Sequence, residues 1–131
     1  GIGFTLLPHC DLVLVSESAR FRTPFAEMGV PPEAASSLLF PARMGWQRAA
    51  EVLFTSPWLD AHAAVDCGIA LRTVAPDELV DEALALASRV AAAPLEALRA
   101  IKSTMLAGRA DAVAAARARE DAAFARLLGV A

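Results

Sequence analysis

Leu12-Val13-Leu14-Val15 narrows the fold more than any other segment: four consecutive apolar residues, two of them β-branched, have the composition of a strand covered on both faces. Such a strand needs neighbours. Ala19-Arg20-Phe21-Arg22 offers a second short strand and the stretch 69–74 one more, which is too little for a self-sufficient sheet. The pattern therefore predicts a mostly helical α/β fold, in which another part of a longer chain, or another subunit, supplies strands to cover this one.

The remainder reads as helices. Gly1-Ile2-Gly3 opens a short buried helix over Phe4-Thr5-Leu6-Leu7, with Pro8 and Asp11 near its end. Pro24, Gly29, Pro31 and Pro32 hold a loop. Three helices are then predicted, over 33–40, 45–54 and 60–66, the last closed by Gly68 as a C-cap. Pro76-Asp77-Glu78 starts an amphipathic helix with Leu79, Ala83, Leu86 and Val90 in one stripe. Pro94 ends it and begins another over 95–106 that stops at Gly108. Asp111 is the expected cap of the last helix, down one side of which run Val113, Arg117, Glu120, Phe124 and Leu127.

Composition bounds the function. With 56% hydrophobic residues in 131, the chain has ample material for one core. No apolar run approaches the roughly 18 residues of a membrane span, and no secretory signal is visible. A net charge of -3 argues against nucleic acid as a partner, because phosphate neutralisation needs a basic face. A small molecule or another subunit is the expected partner. Cys10 and Cys67 lack metal-ligand spacing and sit among apolar residues, so both are read as reduced core thiols, with no metal site. Eleven Arg against the single Lys102, with 31 Ala, is the signature of a GC-rich bacterial genome.

Few residues carry chemistry. Gly1-Ile2-Gly3 is compatible with a plain tight turn, and equally with a turn that aims a backbone N–H at a developing oxyanion. Glu33 follows Pro31-Pro32 and precedes Ala34-Ala35, in the first turn of a predicted helix. It is either an acid complementing the helix dipole or a carboxylate whose apolar neighbours suit it to proton transfer. His9 and His62 belong to no triad and are assigned structural roles; Asp11 is read as a turn or capping residue and Asp60 as a solvated or capping charge. Ser36 and Ser37 lack the Gly-x-Ser-x-Gly elbow of a hydrolase nucleophile.

In order along the chain, these motifs resemble the enoyl-CoA hydratase/isomerase (crotonase) family. Gly1-Ile2-Gly3-Phe4-Thr5-Leu6 with Cys10-Asp11-Leu12 is similar to the family's Gly-rich turn, buried helix and Cys-Asp strand. Ala19-Arg20-Phe21, Pro24, Gly29 and Pro32 follow its Ala-Arg-Phe, Pro and Gly-x-x-Pro segment. Gly45 with Ala49-Ala50-Glu51, Leu59-Asp60-Ala61, Ala64 to Gly68, and Ala97-Leu98 with Lys102 match later helices. The resemblance implies the C-terminal part of a ββα spiral, with 1–75 an incomplete portion of the core and 76–131 a helical oligomerisation region. It further implies homotrimers or dimers of trimers, an acyl-CoA substrate with no cofactor beyond the CoA it carries, and a cytoplasmic bacterial enzyme.

For the site, the resemblance puts the Ile2 N–H at the second oxyanion donor. The first donor and the adenine-binding segment lie in the family's N-terminal half, outside these residues, so the isolated chain is expected to be inactive. Hydratases carry carboxylates where this chain has Thr5 and Phe25. The stretch Gly29-Val30-Pro31-Pro32-Glu33 with Ser36-Ser37 is closer to peroxisomal-type Δ3,Δ2-enoyl-CoA isomerases and their bacterial relatives, which makes Glu33 the acid/base of a 1,3-proton shift. Phe25, Met28, Leu39 and Phe40 are then acyl-chain walls or, equally, core residues. Hydratase activity, and a non-catalytic assembly fragment, are the alternatives.

Overall fold

The structure, a computed structural model, describes residues 1–129. After α1 (Ile2–Thr5), Pro8 sits in a 3-10 turn over Leu7–His9. Strand β1 (Leu14–Ser16) pairs in parallel with β4 (Arg72–Val74), Val15 opposite Thr73. A parallel partner requires a long crossover. Here it contains β2 (Arg20–Phe21), α2 (Phe25–Met28), α3 (Ser36–Met44), α4 (Trp46–Thr55), β3 (Leu59–Asp60) and α5 (Ala61–Asp66). Within that crossover β2 and β3 form a small antiparallel pair, Arg20 against Asp60 and Phe21 against Leu59. Helices α6 (Leu79–Ala91), α7 (Leu95–Ala107) and α8 (Ala110–Leu128) complete the described chain.

The core gathers on Phe4. Its ring meets Phe40 at 4.9 Å and Phe21 at 5.4 Å, and Val15, Val52, Leu59 and Ile69 join the same buried cluster. A second, smaller cluster unites Ala35 and Leu39 of the α3 region with Ala116 of α8, flanked by Leu38 and Val113. The last helix therefore returns to the middle of the chain. Cover along and before strand β1 is uneven: Val15 is buried, Leu14 half-buried, and Leu12, two residues ahead of the strand, exposed. A groove between β1 and α6 is lined by Leu12, Leu14, Leu79, Ala83 and Leu86, so most of the predicted stripe faces the strand while Val90 does not.

Several expectations are corrected. The helix predicted from Glu33 begins at Ser36, because Ala34 and Ala35 adopt left-handed φ values of 55° and 58°. It also continues to Met44 through Pro41, an interior position where the proline leaves the Ser37 carbonyl without its helical partner while the Gly45 N–H still bonds the Pro41 carbonyl at 3.0 Å. The loop after Pro24 contains α2, closed by Gly29 at φ 66° with Val30 N–H bonded to the Phe25 carbonyl, a Schellman-type ending. Asp111 lies inside the first turn of α8 rather than capping it. Asp60 does act as a cap, accepting from the Ala63 N–H at 2.8 Å. Both cysteines are free; Cys67 is buried, which pushes its thiol pKa up against weaker opposition from backbone donors, but Cys10 is only half-buried.

Gly68 closes α5 at φ 75°, and a Cβ there would stand 2.9 Å from the Arg43 carbonyl oxygen. At Gly29 the same backbone region faces open space. Gly29→Ala is expected to cost about 1–2 kcal/mol through backbone strain alone. Gly68→Ala is expected to cost about 1–3 kcal/mol more, because the carbonyl must move. Paired denaturant-unfolding curves check the order; equal losses would remove the close approach as the reason for Gly68.

Candidate functional site

Helix α1 is anchored from one face. Phe4 lies in the core and Ile2 is 64% exposed, because two positions along a helix of 3.6 residues per turn point to nearly opposite faces. The Phe4 and Thr5 amides both donate to the Gly1 carbonyl, at 2.8 and 3.3 Å. As the first helical residue, Ile2 has no carbonyl four positions back for its own N–H. The Gly1 nitrogen donates to the Arg22 carbonyl, which ties the turn to the segment after β2. An open hollow beside it is lined by Gly1, Ile2, Gly3, Arg20, Arg22 and Trp58.

Thr5 is fully buried and one helical turn past Ile2. Its Oγ1 donates to Glu33 Oε1 at 2.6 Å, placing the carboxylate against α1 from across the chain. Glu33 itself is half-buried in the turn before α3, its carbonyl accepting from the Ser36 N–H at 2.9 Å and from the Ser36 hydroxyl.

The turn after Glu33 is held from two sides. His9 Nε2–H donates to the Ala34 carbonyl at 2.7 Å, which gives His9 a structural task and sets its tautomer. On the other side Glu120, 4% exposed, accepts from the Ala35 N–H at 2.7 Å, the Ser37 N–H at 2.9 Å and the Ser37 Oγ at 2.6 Å. Ala35 is the N-cap of α3 and has no capping side chain of its own. Glu120 supplies that cap from 85 residues away.

Ile2 and Glu33 thus meet through Thr5. The expected acyl-chain walls are dispersed: Phe25 is buried, Leu39 packs in the α3–α8 cluster, Phe40 is wholly enclosed against Phe4, and Met28 alone presents surface, at 67% exposure. Thr5 was visible in sequence only as a missing carboxylate. Its spacing of three from Ile2 was the usable signal, since that spacing shares a helix face. Nothing in sequence linked Glu120 to Glu33. Among the described residues there is no His/Cys/Asp/Glu cluster fit for a metal and no helix long and apolar enough to cross a membrane.

Thr5→Val keeps the shape and deletes the donor to Glu33. It is expected to lower stability by about 1–2 kcal/mol, toward the lower end for a charged acceptor because Glu33 is partly hydrated. Thr5→Ser, which keeps the hydroxyl, is expected to retain most of that difference. A Val variant as stable as the Ser variant in urea unfolding would show that the 2.6 Å bond contributes nothing net.

Residues 1–129 match the family model described as Enoyl-CoA hydratase/isomerase. The crystal structure of an enoyl-CoA hydratase/isomerase from Pseudoalteromonas atlantica T6c superposes on 100% of this chain with a TM-score of 0.95 and 39% identity, and 53% of that chain is covered. A protein named "Probable enoyl-CoA hydratase" in Rhizobium meliloti (strain 1021) is 33% identical over 105 residues, 80% of this chain and 41% of its own length. Carnitinyl-CoA dehydratase of Proteus mirabilis (strain HI4320) is 37% identical over 103 residues, 78% of this chain and 39% of its own. The chain spans about two fifths of these two relatives and about half of the solved chain.

Proposed function

The chain belongs to the enoyl-CoA hydratase/isomerase family, and on that premise we propose that the intact protein isomerises unsaturated acyl-CoA thioesters by a 1,3-proton shift with Glu33 as acid/base. The observation that carries this reading is the 2.6 Å bond from Thr5 Oγ1 to Glu33 Oε1, which sets a carboxylate beside the helix opened by Gly1-Ile2-Gly3. Thr5 and Phe25 stand where hydratases of the family are expected to have carboxylates, so Glu33 is the one carboxylate the resemblance offers. One is enough for this chemistry.

With Thr5 engaging Oε1, Oε2 is the oxygen that takes the proton from C2 of a 3-enoyl-CoA and returns it at C4. Negative charge meanwhile builds on the thioester oxygen of the dienolate. The Ile2 N–H is the donor from this chain that stabilises it, selectively in the transition state. Coenzyme A enters as part of the substrate, and no further cofactor is invoked. The first oxyanion donor comes from outside these residues, so the isolated chain is inactive. Residues 1–75 form part of the spiral core, and the helices of 76–131 mediate a homotrimer or dimer of trimers in the cytoplasm of a bacterium.

Hydration is the second reading, favoured by the dehydratase and hydratase named among the relatives. In the intact gene product, Glu33→Gln is expected to lower turnover of a 3-enoyl-CoA by about 10²- to 10⁴-fold. Normal turnover by that variant would sink the assignment, and fast water addition to a 2-enoyl-CoA would favour hydration.

Ile2→Pro tests the oxyanion donor separately, because Ile2 is the first residue of α1, where proline is tolerated. Loss of this single N–H is expected to reduce kcat by about 10²- to 10³-fold. A folded variant with unchanged kcat would remove Ile2 from the site.

A further inference from the structure

Glu120 is a buried carboxylate that the proposed reaction does not use. It lies on α8, far in sequence from Glu33, and its neighbours are not the other charges of the site but three donors from one turn: Ala35 N–H, Ser37 N–H and Ser37 Oγ, at 2.7, 2.9 and 2.6 Å. Both oxygens are used. Oε2 takes Ala35 and Oε1 takes both Ser37 donors, the pattern that an acceptor-only carboxylate satisfies and an amide does not.

The turn so gripped is the one immediately after Glu33. Ala34 and Ala35 are both left-handed, a conformation that alanine avoids when free, and only bonds from outside the turn hold two in succession. The same turn fixes the Glu33 backbone, whose carbonyl accepts from Ser36 within it. Ala116, one helical turn before Glu120, is fully buried against Ala35 and Leu39, so the carboxylate is delivered by a packed helix face.

We propose that Glu120 is a positioning residue for Glu33: it holds the Ala34–Ala35 turn left-handed, so that the Glu33 carboxylate reaches Thr5 and the Gly1–Gly3 turn. This rests on the reading of Glu33 as acid/base. It adds that the last helix, through one carboxylate, sets the geometry of the proton-transfer group.

The test uses the intact gene product. Glu120→Gln preserves size but turns an NH2 toward donors whichever way the amide lies. Because a misplacement of about 1 Å costs about 10²-fold in rate, kcat on a 3-enoyl-CoA is expected to fall on that order with KM little changed. In a Glu33→Gln background the same substitution is expected to have no further effect, since no carboxylate remains to be placed. A purely structural role predicts the opposite: unchanged kcat below the unfolding temperature, or the same proportional loss in both backgrounds. Either result would overturn the proposal.

Glu120→Asp keeps the charge but is one methylene shorter, and serves if the Gln variant does not fold; an unchanged kcat in it also overturns the proposal. Amide hydrogen exchange separates the two claims. If the unaltered protein fails to isomerise a 3-enoyl-CoA, the isomerase reading fails by itself. Faster exchange confined to Ala35 and Ser37 in the Asp variant then still supports Glu120 as the holder of the turn, and unchanged exchange there overturns it.

Discussion

Two consecutive alanines with positive φ, Ala34 and Ala35, are the constraint on which the site depends. Each costs about 1–2 kcal/mol relative to a right-handed residue. Against this stand His9 on one carbonyl and Glu120 on three donors. Charge-assisted bonds contribute roughly 1.5–3 kcal/mol each, enough in sum to outweigh the backbone strain. Desolvating Glu120 works against them, and the convergence of three donors is what makes its burial tolerable. The turn exists because two remote elements hold it, and the direction in which Glu33 leaves the chain follows from the turn.

Phe4 performs the corresponding task on the other side. By packing on Phe21 and Phe40 it fixes a helix of only four residues, too short to be stable alone. Thr5, the next residue, points its hydroxyl at Glu33, and Ile2 is left at the exposed end. Core packing and site geometry are therefore set by adjacent residues. This explains how a chain with few titratable groups near the Gly-rich turn can still present an organised carboxylate.

The distribution of apolar surface points elsewhere. Helices α6 and α7 bury no residue fully, and Val80, Leu84, Leu95, Ile101 and Met105 are all more than half exposed. Leu12 before β1 is exposed too. The chain spans about half of the solved structure on which it superposes. Its core and its turn architecture are nevertheless internally consistent, since both rest on contacts among the described residues.

Much of this was legible in the residues themselves. Local rules located the Gly68 cap, the Asp60 cap and the extents of α4, α5 and α7 to within a residue or two, because capping and periodicity act over a few positions. The ordered motifs carried the family. The same local rules failed at Glu33, where a run of helix formers predicted a helix and tertiary contacts imposed a left-handed turn. They also missed β3, whose two residues become a strand only by pairing with β2. Sequence alone determined which residue types stand at the family's positions, Thr5 and Phe25 instead of carboxylates, and Glu33 as the candidate base. Only the tertiary structure decided that Thr5 bonds Glu33 and that Glu120 holds the turn after it, because hydrogen bonds spanning 28 and 85 residues leave no periodic trace in a single chain.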